Sequence, residues 1–106
     1  VKLIPKHFRK TVTTAGTRER LTASAFKTPM VDFQAESTNT GRIYIGHNQV
    51  SSTDCMADLG AGDSLALIAS NYGDATAVWD LSEFWIDSSI STDGVFVGYA
   101  ERKQGE

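Results

Sequence analysis

Turn-forming clusters punctuate this chain every ten residues or so, and no stretch between them sustains the 3.6-residue period of an amphipathic helix. The intervals are Thr11–Thr14, Arg20–Ala25, Met30–Glu36, Arg42–Gly46, Ser64–Ala69, Phe84–Ser88 and Val95–Ala100, each rich in β-branched, aromatic or alternating apolar residues. Ala15-Gly16-Thr17, the run from Ser37 to Gly41, and Gly60-Ala61-Gly62-Asp63 separate them. Short strands at such spacing predict an all-β, antiparallel sandwich or barrel. Thr92-Asp93-Gly94 is the strongest hairpin signal, because Asp and Gly accept the positive φ of a tight turn. The stretch Ala75–Phe84 reads as a connection with room for one 3₁₀ turn, capped by Asp80 or Ser82.

Alternation assigns the faces. In Met30–Glu36, Val31, Phe33 and Ala35 are expected inside, with Asp32, Gln34 and Glu36 in water. Ile43 and Ile45 are expected in the core, leaving Arg42 and Tyr44 outside. In the last strand Val95, Val97 and Tyr99 oppose Phe96, Gly98 and Ala100, so both faces are apolar. Such a strand is covered on both sides or lends one face to a subunit contact; Phe96, Tyr99 and Trp85 are the interface candidates.

A chain of 106 residues suffices for one domain without disulfides or metal. Cys55 is the sole cysteine, so it has no internal disulfide partner and no thiolate metal set; it reads as a small, partly buried hydrophobe. No apolar run approaches the roughly 18 residues of a membrane span, and the start lacks the pattern of a signal peptide. The expectation is a protein made in the cytoplasm, with no membrane partner. Charge is segregated: residues 1–27 hold seven Lys/Arg and one acid, residues 28–106 three Lys/Arg and twelve acids, or +6 against −9. The basic segment either packs across the acidic remainder or reaches an acidic partner. A sequence pI of about 5.3 argues against direct nucleic-acid binding.

No catalytic, cofactor or metal constellation emerges, and the domain reads as non-enzymatic. His7 and His47 lie forty residues apart without a third ligand at zinc spacing. Asp54, Asp58 and Asp63 are too widely spaced for a calcium loop. Gly60-Ala61-Gly62 lacks the context of a dinucleotide or phosphate loop, and no serine sits in a nucleophile elbow. Tyr72, Trp79, Phe84 and Trp85 cluster beside Asp74, Asp80 and Asp87. Filling a core or interface is the first reading of these aromatics; a sugar-stacking platform of Tyr72, Trp79 and Trp85 is the alternative.

The succession Thr11-Val-Thr-Thr-Ala-Gly-Thr-Arg-Glu-Arg-Leu21, Phe33-Gln-Ala-Glu and Asn39-Thr-Gly-Arg-Ile-Tyr-Ile-Gly46 resembles small virion proteins of tailed bacteriophages. The likeness continues through Val50-Ser-Ser-Thr, Leu59-Gly-Ala-Gly-Asp-Ser-Leu65 and Asp80-Leu-Ser-Glu-Phe-Trp-Ile-Asp87 to Asp93-Gly-Val-Phe-Val-Gly-Tyr-Ala100. It implies a β-sandwich of jelly-roll type spanning residues 11–106. It further implies a capsid decoration (cement) protein on the virion surface, assembled in the bacterial cytoplasm, forming a homotrimer and binding the major capsid protein. A neck, tail or head-fibre component is the alternative within the virion. Cys55-Met56 departs from the pattern, and residues 1–10 lie outside it. That basic, extended segment is expected to be either an arm or a first strand, Pro5 favouring an extended path. As an arm it would meet the capsid through Lys2, Leu3, Ile4, Lys6, Phe8, Arg9 and Lys10.

Overall fold

The computed structural model describes residues 2–103; the first residue and the last three of the expected domain spans lie outside it. Ten strands follow in order: β1 (Lys2–Thr11), β2 (Glu19–Arg20), β3 (Lys27–Thr28), β4 (Met30–Ala35), β5 (Ile43–Gly46), β6 (Ala57–Leu59), β7 (Ser64–Ile68), β8 (Trp79–Asp80), β9 (Trp85–Ser88) and β10 (Gly94–Lys103). Two single 3₁₀ turns, Ala69–Asn71 and Leu81–Glu83, are the only helical segments among the described residues. The strands form two four-stranded antiparallel sheets, ordered β1-β10-β4-β7 and β2-β9-β5-β6, plus the short β3-β8 pair.

Alternation builds the core as expected along β4, whose Val31, Phe33 and Ala35 are fully buried while Asp32 and Gln34 face water. They meet Val95 and Val97 of β10 on the same sheet, and Ile43, Ile45 and Ile86 of the other, in one cluster. Two sheets sharing one core are compatible with a β-sandwich. Phe33 packs edge-on against Phe84, with centroids 5.4 Å apart.

Several local expectations are corrected. Thr92-Asp93-Gly94 is a tight turn, with Thr92 at φ 73°, but it makes no hairpin. β9 and β10 belong to different sheets, so the turn carries the chain across the core. Turn chemistry reverses a chain without choosing its next neighbour. Thr11–Thr14 is not a strand: β1 ends at Thr11, and Val12 turns into the core, exchanging backbone hydrogen bonds with Thr92 and Asp93. Arg20–Ala25 contributes only Arg20 to a strand. Lys2–Thr11 instead pairs with β10 along its whole length, so the basic segment is an edge strand rather than a free arm.

Two side chains expected in water are buried. Glu36, 8% exposed, lies one residue past the end of β4 and accepts from Arg9 Nε at 2.8 Å. Tyr44, also 8% exposed, stands opposite Asp87 and Asp58 on its sheet. Gly16 brings the β1–β2 turn onto Asp87, its N–H donating to Oδ1 at 3.0 Å, which helps close that outer face.

Edge strands β1 and β2 of the two sheets are linked by Lys10 Nζ and Glu19 Oε1 at 3.1 Å. The Thr13 N–H also donates to Glu19 Oε2 at 2.6 Å. That backbone hydrogen bond, aided by Lys10, holds the Glu19 carboxyl below its ordinary value of 4.5. A depressed folded pKa stabilises the protein above the unfolded value and loses that contribution as pH falls through the folded one. Glu19→Gln is therefore expected to soften the loss of stability between about pH 5 and pH 3, read from urea unfolding midpoints. Parallel curves for variant and parent would refute it. Phe33→Ala is expected to cost about 3–5 kcal/mol in the same assay; a cost below about 1 kcal/mol would show that Phe33 is not central to the packing.

Candidate functional site

The end of the molecule where β5 runs out holds an aromatic ladder. Tyr72, 64% exposed, meets Trp79 edge-on at 5.2 Å; Trp79 meets Phe84 at 5.5 Å; Phe84 meets buried Phe33. Trp79 is positioned by β8 pairing with Thr28, and Thr28 is itself locked. Its Oγ1 accepts from Ala100 N–H at 3.1 Å and donates to the Ala100 carbonyl at 2.9 Å. The next residue, Asp80, caps the following 3₁₀ turn: its Oδ1 accepts from Ser82 N–H at 3.0 Å, Ser82 Oγ at 2.8 Å and Phe26 N–H at 3.2 Å. The Ser82 hydroxyl and N–H hold the Asp80 carboxyl below its ordinary range.

Between this turn and the β5–β6 connection lies a groove of about 580 Å³. Val50, Met56, Val78, Trp79 and Phe84 form apolar walls, and His47, Asp54, Asp80 and Glu83 supply polar groups. No lysine or arginine lines it. A smaller cavity of about 140 Å³ adjoins it at Tyr72, Val78 and Trp79. Trp79 Nε1, in the wall shared by both, is buried with no hydrogen-bond partner, alone in this among the described side-chain nitrogens and oxygens. Among the described residues, no three His, Cys, Asp or Glu side chains converge to hold a metal ion, and no helix is long and apolar enough to cross a membrane. Volume and lining suit a medium-sized organic group or a few side chains of a partner, with a cationic part favoured by the acids.

A second feature leaves the body at the same end. β10 pairs with β4 only from Val95 to Tyr99 but with β1 as far as Lys103, so a two-stranded ribbon continues beyond the sheet. The molecule measures 44 Å along its longest axis against 24 and 23 Å across. Among its described residues Lys2, Arg102 and Lys103 make the ribbon basic against the single acid Glu101, and Lys6 stands at its base opposite Tyr99.

The residues singled out in the sequence fall in different places. Tyr72 and Trp79 come together, whereas Trp85, on β9, shares the register of Gly46 and Arg20 and takes no part in the ladder. Phe96 is 46% exposed on the outer face of the first sheet, while Tyr99 points to the other side and packs against Phe26 at 5.1 Å and Phe8 at 5.9 Å. The three interface candidates thus share no single surface. Of the seven basic-segment residues, Arg9 pairs with Glu36, Lys10 with Glu19, Phe8 packs on Tyr99, and Ile4 is half-buried. Leu3, Lys2 and Lys6 are exposed. His7 stays on β1 of the first sheet, whereas His47 follows β5 of the second, its Nδ1 accepting from Gln49 N–H at 2.9 Å. Asp58 pairs with Arg42 at 2.7 Å, and Asp63 accepts from Gly60 N–H at 3.0 Å.

Groove residues His47, Val50, Met56, Val78 and Glu83 were not marked as a set by the sequence. They come from two segments about thirty residues apart; His47 drew notice only as a metal-ligand candidate and Met56 only through the departure at Cys55-Met56. No family model, curated protein or solved structure matches this chain, so the phage likeness rests on the sequence motifs alone.

Cys55 lines the groove, and burial, followed by the charges of Asp58 and Asp54, pushes its thiol above the ordinary value of 9.0. Alkylation by iodoacetamide at pH 7.5 is expected to run several-fold slower than for free cysteine and to accelerate on unfolding in urea. A native rate equal to that of the free amino acid would contradict this.

Proposed function

We propose that this protein is a structural virion subunit of a tailed bacteriophage, and within that class a capsid decoration protein seated on the outside of the head against the major capsid protein. The sheets are read as a jelly roll. Supporting that reading, the pairings β5·β6, β4·β7, β2·β9 and β1·β10 nest one inside the next, as if a single long antiparallel hairpin had been rolled up. Fold alone does not carry function. The observation that carries it is apolar surface left uncovered on the first sheet: Phe96 at 46% and Ile68 at 48% exposure on its outer side, with Leu3 at 52% on the same side of β1. Surface of this kind is satisfied by a neighbouring molecule.

Seated through that face, a subunit bridging two capsomers adds buried area that the shell must give up before opening, and so stabilises it by mass action. Arg9, Lys10 and Phe8 are engaged within the chain, so the shell contact is drawn from the outer face and the exposed part of β1, not from an arm. Phe96→Glu combined with Ile68→Glu is expected to abolish binding to emptied heads while leaving circular dichroism unchanged. Undiminished occupancy would remove this face from the contact. A small fixed number of copies per purified particle would move the protein to the neck, tail or fibre.

The contact of exposed Tyr72 with Trp79 favours a second reading, a carbohydrate-binding module. Saturable quenching of Trp79 fluorescence by oligosaccharides in a Trp85→Phe background would favour it over the first.

A further inference from the structure

Ribbon and groove carry opposite charge and complementary apolar surface. Arg102 and Lys103 on β10 and Lys6 on β1 are exposed, and none makes an ion pair with a described residue. Leu3 adds an exposed apolar side chain near the tip. The groove offers Asp54, Asp80 and Glu83 around Trp79 and Phe84, with Met56 and Val78 exposed on its walls. Asp80 is held ionised by the hydrogen bonds of its turn. An aromatic wall with acids beside it suits a guanidinium or ammonium on an aliphatic stem.

Both features stand at one end of the molecule, since Thr28 ties β3-β8, and so Trp79, to Ala100 at the base of the ribbon. β1 and β10 remain paired from Lys2 and Lys103 inward, so the ribbon is one unit, and none of its described residues lines the groove of its own chain. Other self-contacts are disfavoured. Pro5 and the lysines along β1 discourage edge-to-edge strand addition, and two basic ribbons repel one another.

We propose that the groove of one copy receives the ribbon tip of a second copy. Leu3 packs against Met56 and Val78, and Arg102 and Lys103 meet Asp54 and Glu83. Donor and acceptor surfaces differ, so the contact is heterologous and either closes into a ring or extends as a row. It shares Leu3 with the outer side of β1 but uses neither Phe96 nor Ile68, so the substitutions at those two residues and the charge reversals below test the two readings separately.

The test is sedimentation equilibrium of the full chain at low and high salt. Association is expected at low ionic strength and weakening with salt. Arg102→Glu with Lys103→Glu, and separately Asp54→Lys with Glu83→Lys, should each weaken self-association by about tenfold or more. Mixing the two variants should restore a complex, because the reversed ribbon then meets a reversed groove. Phe96→Glu should leave self-association unchanged. A chain monomeric at every concentration in low salt would overturn the proposal, as would association indifferent to both charge reversals, or a mixture of two folded variants that fails to associate. Quenching of Trp79 by arginine amide in a strictly monomeric protein would assign the groove to a different basic partner and overturn the second copy as its occupant.

Discussion

Everything in this fold hangs on β10, the one long strand paired on both sides. It holds β1 over ten residues and β4 over five, and Val95 and Val97 form the floor on which the second sheet packs. Removing apolar surface from water is the main favourable term in folding a chain of this size, and here it requires two sheets to face each other across these side chains. That demand dictates how the turns behave. Connections β1–β2, β4–β5, β6–β7 and β9–β10 each cross from one sheet to the other.

A crossing turn forfeits ladder partners, and buried backbone groups must find others. At the end near Gly94, side chains provide them. Asn39 imitates a strand neighbour, its Nδ2 donating to the Gly94 carbonyl at 2.8 Å and its Oδ1 accepting from Gly94 N–H at 3.0 Å. Asp93, buried, accepts from Gly41 N–H at 2.8 Å. A Cβ at Gly94 would push the Glu36 carboxylate aside and crowd the Lys10 carbonyl. Glu36 is in turn held by Arg9. This end is sealed by polar bonds. The opposite end is open, carrying the ribbon, the groove and the exposed Tyr72.

Legibility varied with the range of the forces involved. Alternation along β4 specified Val31, Phe33 and Ala35 as core because one side chain in two must face inward whatever the neighbouring strand is. The Asp80 cap was legible for the same reason, being settled within two residues. The strand character of Lys2–Thr11 was left open, since its partners lie 83 to 101 residues away and basic side chains on a strand edge look like those of a solvated arm. Glu36 and Tyr44 look like surface residues until Arg9 and the β1–β2 turn arrive from elsewhere in the chain. The groove was least legible, because its walls are assembled from two separate segments whose meeting no local pattern announces.

By itself, then, the sequence determined that this chain is all-β, which residues of its clearest strand face the core, and where the backbone must turn. Those properties follow from side-chain periodicity and from the φ preferences of Gly, Asp and Asn, which act within a few residues. Only the tertiary structure decided which sheet each strand joins, that the basic segment is an edge strand extending into a ribbon, and that an acid-lined groove opens beside Trp79. Pairing and burial join residues far apart along the chain, and the free energy of a contact depends on the surroundings it completes rather than on the residues that flank it in sequence.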